Sequence, residues 1–221
     1  MGHSTKLLTP TQTVGDIFYD ELREDVSAKL TSVLAQSPGI GPIILWGEWA
    51  MQYYGVPICD NHMHLLVPDD QLEAAYEALL AAGYEDSPPV LLPMVTSSDP
   101  NIHWEELGCP AHRVVGDLRH RKSRVKILIQ NYSAAAGTFD DADPSSFEQC
   151  AGLAIPPLPL LGQSFLRAYF KVRGSKSRLR DILGVWCASV KLSGYSPLGV
   201  DAMRGVPGID DAMALYWERG Y

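Results

Sequence analysis

The stretch from Ile43 to Gly83 constrains this chain more than any other, because four consecutive elements are written there with their boundaries intact. Ile43-Ile-Leu-Trp46 is the short apolar run of a buried strand, and Gly47 to Tyr54 continues as a helix closed by Gly55 and Pro57. His62-Met-His-Leu-Leu-Val67 is a second strand. Pro68-Asp-Asp70 opens another helix, with proline early and acids at the positive end of the dipole. That helix runs from Gln71 to Ala82, and Gly83 is its C-terminal cap. Strand, helix, strand, helix in so short a span specifies an α/β fold.

The rest of the chain is arranged around this core. Ile17, Leu22, Val26, Leu30 and Leu34 recur at helical spacing, which predicts an amphipathic helix over 14–34. Ser37 to Pro42 breaks it. Two glycines lie there, but no GK[ST] follows, so the segment reads as a turn rather than a phosphate loop. Pro88, Pro89 and Pro93 make 84–111 an edge strand or irregular loop. Val125 to Ile129 is a strand, with Arg113 to Asp117 its expected partner. A polar connection over 137–149 carries a short helix after Pro144. Residues 151–161 are apolar but too proline-rich for a regular helix, and helices resume at Gln163–Arg173, Ser177–Lys191 and Asp210–Arg219. The expectation is one domain over 1–221, with an α/β core at 14–135 and a mainly helical extension at 144–221.

Composition removes several function classes. The chain is 46% hydrophobic with five tryptophans, which excludes a disordered protein. Its net charge of −8 makes nucleic acid and anionic membranes poor partners. The basic run Arg113–Lys126 and the cluster Arg167, Lys171, Arg173, Lys176, Arg178 and Arg180 are solvated faces or, at most, local anion sites. Four scattered cysteines with no CxxC pair read as reduced thiols. No apolar stretch reaches the roughly 20 residues a membrane helix needs. A soluble, cytoplasmic protein with a small-molecule partner is expected; the oligomeric state is not written in the sequence.

Three pieces of the core now combine: Leu45-Trp-Gly-Glu-Trp-Ala-Met-Gln-Tyr-Tyr-Gly55, His62-Met-His-Leu-Leu-Val67 running on to Ala75, and Leu79-Leu-Ala-Ala-Gly-Tyr84. In order and spacing they resemble the minimal nucleotidyltransferase superfamily, and within it a diverged branch of filamentous fungi. The resemblance covers roughly 40–85. It implies a nucleotidyltransferase-like small mixed sheet flanked by helices, with a glycine turn between the first strand and helix and an Asp-x-Asp pair on the next strand.

The departures from that pattern carry the chemistry. Carboxylates at i and i+2 on a strand share a face and hold magnesium against nucleotide phosphates. His62 and His64 stand at those positions, and magnesium prefers oxygen ligands. Glu48 adds an anion where a triphosphate would lie, and the third acid expected on a later strand is absent from Val125–Ile129, with Asp117 the nearest candidate. Metal-dependent nucleotidyl transfer is therefore expected to be lost.

Four readings of the two histidines stay open. They are structural relics, or they serve a site for a small, largely apolar organic metabolite. They form a zinc site completed by Cys109 and His112, or transfer persists on substitute carboxylates such as Glu48 and Asp60. The metabolite reading is preferred and calls for no cofactor and no metal. It assigns His62, His64 and Glu48 to catalysis of a cyclisation, isomerisation or pericyclic step, and Trp46, Trp49, Tyr53 and Asp60 to substrate contact. A non-catalytic binding or scaffold protein is its non-enzyme competitor.

Overall fold

The computed structural model describes residues 27–58, 62–86, 104–115, 126–176, 178–192 and 209–219. Its chain order begins with α1 (Ser27–Gln36), β1 (Ile44–Trp46), α2 (Gly47–Tyr53), β2 (His62–Val67) and α3 (Leu72–Ala81). There follow β3 (Glu85–Asp86), β4 (Ala111–Val115), β5 (Lys126–Asn131), β6 (Glu148–Cys150) and β7 (Leu153–Ile155). Helices α4 (Leu158–Val172), α5 (Leu179–Leu192) and α6 (Asp211–Arg219) close it. Single 3-10 turns sit at Trp104–Leu107, Tyr132–Ala135 and Pro144–Ser146.

The strands form one mixed sheet in the order β3-β4-β5-β2-β1-β7-β6. Strand β2 pairs antiparallel with β1 and parallel with β5, so it lies at the centre. A central strand must be apolar on both faces, and Met63, Leu65, Leu66 and Val67 are all fully buried. Helix α3 covers one face, where Tyr76 stacks on His112 of β4, and α1 packs beside α3. Helices α4 and α5 cover the other, where Phe165 and Trp186 meet Trp46 of β1. Apolar side chains from both helical layers meet the sheet in one continuous core.

The expected elements of the core stand where the sequence put them, within a residue or two. Tyr84 and Gly83 donate their backbone N–H groups to Leu79 and Leu80, the double bond that ends a helix at a glycine. The turn at 37–42 is pinned at Gly41, whose N–H donates to Gln71 at 2.8 Å. The first half of the helix expected over 14–34 lies outside the described residues, as do Asp117 and the proline-rich segment 88–94.

One expectation is extended and another corrected. The described residues after Pro144 are mainly helical, and Glu148–Cys150 and Leu153–Ile155 add a hairpin that extends the sheet through β7 against β1. Ala151 and Gly152 both have positive φ, 50° and 83°, as a two-residue hairpin turn of the favoured twist requires. The proline-rich run also becomes helical earlier than expected, at Leu158. Pro157 sits at the N-cap and Pro159 in the first turn, where backbone N–H groups have no partner within the helix.

Candidate functional site

Gly47 sets the geometry of the candidate site. It follows β1 directly and takes φ 69°, so the chain turns sharply from strand into helix α2. A Cβ there would lie 2.9 Å from His64 Cδ2 and 2.9 Å from Trp186 Cη2. Glycine is needed both for the left-handed backbone and for the space. The turn places Glu48 in the first turn of α2, beside the strand that carries His64.

Register brings the other groups together. Trp46 is paired with His64 across β1 and β2, and His64 with Leu128 across β2 and β5. Gln130 stands two residues beyond Leu128 and therefore on the same face. Its carboxamide oxygen is 3.5 Å from His64 Nδ1, a long contact. On the other side of the ring, Nε2 is 3.8 Å from Glu48 Oε2. The Trp186 indole N–H donates to Glu48 Oε1 at 3.3 Å.

Three tryptophans enclose this polar pair. Ring centroids of Trp104, Trp186 and Trp46 lie 4.6, 5.1 and 6.1 Å from that of His64, each meeting it edge to face. Trp46 is anchored in turn by donating to Ser164 Oγ at 2.8 Å, and Ser164 donates to the Leu161 carbonyl at 2.6 Å. His64 is 1% exposed, Glu48 4% and Trp186 1%. A buried acid beside a buried imidazole is costly unless hydrogen-bonded, and the Trp186 N–H supplies one such bond to Glu48.

Residues expected at the site separate into groups. His64, Glu48 and Trp46 come together. His62, on the same strand face, is only half-buried, with its ring centroid 6.1 Å from that of His64. Trp49 is buried in α2. Tyr53 instead points to the β6 edge, where its hydroxyl donates to the Glu148 carboxylate; burial first, then that bond, raises its pKa. Its neighbour Tyr54 donates to the Pro156 carbonyl at 2.8 Å and is pushed by burial up to about 12. Asp60 lies outside the described residues.

The zinc set drawn from the sequence does not assemble. His112 is paired with Ile129, which is paired with Leu65, so His112 belongs to the opposite face of the sheet from His64. There it bonds Glu73 at 2.8 Å and stacks on Tyr76. Among the described residues, no three His, Cys, Asp or Glu side chains form a group suited to a metal ion. Cys109, buried two residues after the 3-10 turn at 104–107, has its thiol pKa raised chiefly by burial.

Sequence reasoning missed Gln130, Trp104 and Trp186. Gln130 was visible as a polar residue in phase with the buried face of β5, once that strand is extended past Ile129. The two tryptophans arrive from segments distant in sequence, and nothing in their local pattern marks them as partners of His64. Among the described residues no helix is long and apolar enough to cross a membrane. Compared with known proteins, the chain matches no protein-family model, no curated protein and no solved structure.

Proposed function

We propose that this chain is a pseudo-nucleotidyltransferase, an α/β protein that keeps the strand–glycine–helix–strand layout of that superfamily, has given up metal-dependent nucleotidyl transfer, and binds a small, largely apolar organic molecule. One observation carries the reading: the strand position where the superfamily sets its second carboxylate holds His64, packed at 1% exposure between tryptophan rings.

The resemblance implies magnesium at this position. Magnesium asks for hard oxygen ligands in near-octahedral array and keeps several waters. Around His64 stand one carboxylate, one carboxamide and one further imidazole in an aromatic surround. These residues do not fit that ion. The third carboxylate of the superfamily has no counterpart on β5, whose polar side chain facing His64 is Gln130.

A second reading is favoured by His62, whose ring is half-buried at the rim while His64 is enclosed. An imidazole at the rim of a site can serve as acid or base, which suits a metal-independent isomerisation or cyclisation. In that reading His62 touches the substrate, and Glu48 and His64 stand behind it.

Titration calorimetry with magnesium and a nonhydrolysable ATP analogue tests the main reading. No heat is expected, and micromolar binding overturns it in favour of retained nucleotide chemistry. A turnover assay on an organic substrate, abolished in His62→Ala at unchanged melting temperature, promotes the second reading over the first.

A further inference from the structure

Gln130 is fully buried, and its carboxamide nitrogen has no hydrogen-bond partner among the described residues. Orphaned N–H groups are rarer in protein interiors than under-satisfied carbonyls. The carboxamide oxygen meanwhile faces His64 Nδ1 at 3.5 Å. Oxygen and nitrogen of such a group are nearly indistinguishable in shape, and its orientation is assigned from the bonds it makes. A half-turn of the carboxamide brings the orphaned nitrogen to Nδ1 and leaves the carbonyl as the cheaper unsatisfied group.

The far side of the ring asks for the same arrangement independently. His64 Nε2 faces Glu48 Oε2 at 3.8 Å, while Glu48 Oε1 already receives the Trp186 N–H. If Nδ1 held the hydrogen of a neutral ring, the Nε2 lone pair would point at the carboxylate lone pairs. With the hydrogen on Nε2, N–H groups face Glu48 from both sides, His64 at 3.8 Å and Trp186 at 3.3 Å. We propose that Gln130 donates to His64 Nδ1 and so fixes the hydrogen on Nε2, aimed at Glu48, making Gln130 the positioning residue of this centre.

The hydrogens then run one way, from Gln130 to His64 to Glu48, with Trp186 closing from the other side. A third group that sets the tautomer of an imidazole against its partner is a recurring device in sites that handle protons. This deepens the metal-independent reading and rests on it for one consequence. Both nitrogens of His64 are committed inward, so His64 holds the interior of the site in place and His62 is the imidazole that meets a ligand.

Long-range ¹H–¹⁵N correlation on the labelled full chain at neutral pH tests the assignment, with His64 identified by its proximity to the three tryptophan rings. The expected pattern is a pyridine-like Nδ1 and a pyrrole-like Nε2. The reverse pattern, or two pyrrole-like nitrogens, overturns the proposal. Gln130→Glu replaces the donor with an acceptor and is expected to turn Nδ1 pyrrole-like; an unchanged His64 pattern in that variant also overturns it. Should the variant fail to fold, the wild-type spectrum decides alone. Nucleotide binding in the calorimetric titration would sink the functional reading without moving the tautomer, so the two failures are distinguishable.

Discussion

Two His–Glu pairs stand on opposite faces of one sheet, and the protein treats them as different objects. His112 and Glu73 meet at 2.8 Å on the α3 side, with side chains 26% and 70% exposed. His64 and Glu48 are farther apart, at 3.8 Å, with side chains 1% and 5% exposed. The closer pair is the weaker one energetically, because water screens it and competes for both partners. The longer pair lies where removing one partner leaves the other stranded away from water. Distance ranks these pairs one way and burial ranks them the other. Burial decides.

The contrast is broken most directly at Glu48. Glu48→Ala strips His64 and the Trp186 indole of their shared acceptor and is expected to cost about 2–6 kcal/mol, about 1–3 kcal/mol for each of the two buried donors left without a partner. Glu48→Gln keeps an oxygen for the Trp186 N–H and should cost clearly less. Urea midpoints at constant slope measure both, and equal midpoints for the two variants would show that the acceptor is irrelevant.

Gly47→Ala probes the same face through the backbone. A residue with a Cβ pays about 1–2 kcal/mol for the left-handed conformation, and pushing back the His64 and Trp186 rings adds about 1–3 kcal/mol. A combined loss of roughly 2–5 kcal/mol is expected from those two causes. Near-neutral stability in Gly47→Ala would mean that the rings yield freely, which contradicts a tightly packed cage.

Burial also governs the response to alkali. The buried Cys150 thiol is pushed up to about 11, first by burial and then by the Glu148 charge, and burial pushes Tyr132 to about 12. Each is neutral in its lower-pH form, and the unfolded chain releases these protons first as pH rises. Stability is therefore complete below the ordinary thiol range and declines from about pH 9 through about 11–12 as the folded groups hold their protons. Cys150→Ala is expected to flatten the lower part of that decline in melting temperature against pH. An unchanged curve would place the titrating groups elsewhere.

The same distinction explains how far the sequence could be read. Strand β2 and helices α2 and α3 were legible because period, caps and glycines agree locally, and Glu48 with His64 could be placed together only through the resemblance to the nucleotidyltransferase layout. The cage could not be read this way. Trp104 and Trp186 are brought to His64 by sheet order and helix docking, which no local pattern encodes. Cys109 and His112 failed for the complementary reason: closeness to a motif in composition says nothing about which face of the pleat a residue takes, and His112 takes the other one. Proline misled at 157–159, where a residue that breaks helices in their interior was read as breaking one at its start.

The smallest effect gives the sharpest comparison. A double-mutant cycle on His112 and Glu73, with alanine at each, should return a coupling below about 1 kcal/mol, and added salt should reduce it. The same cycle on His64 and Glu48 should return more, with little dependence on salt, because neither group faces solvent. His112 also stacks on Tyr76 at 4.1 Å, so His112→Ala alone loses packing as well as the contact to Glu73, and the cycle subtracts the packing loss because it is common to both backgrounds. A surface coupling equal to the buried one would mean that the exposed pair is shielded in solution, and the claim that burial outranks distance in this sheet would fail.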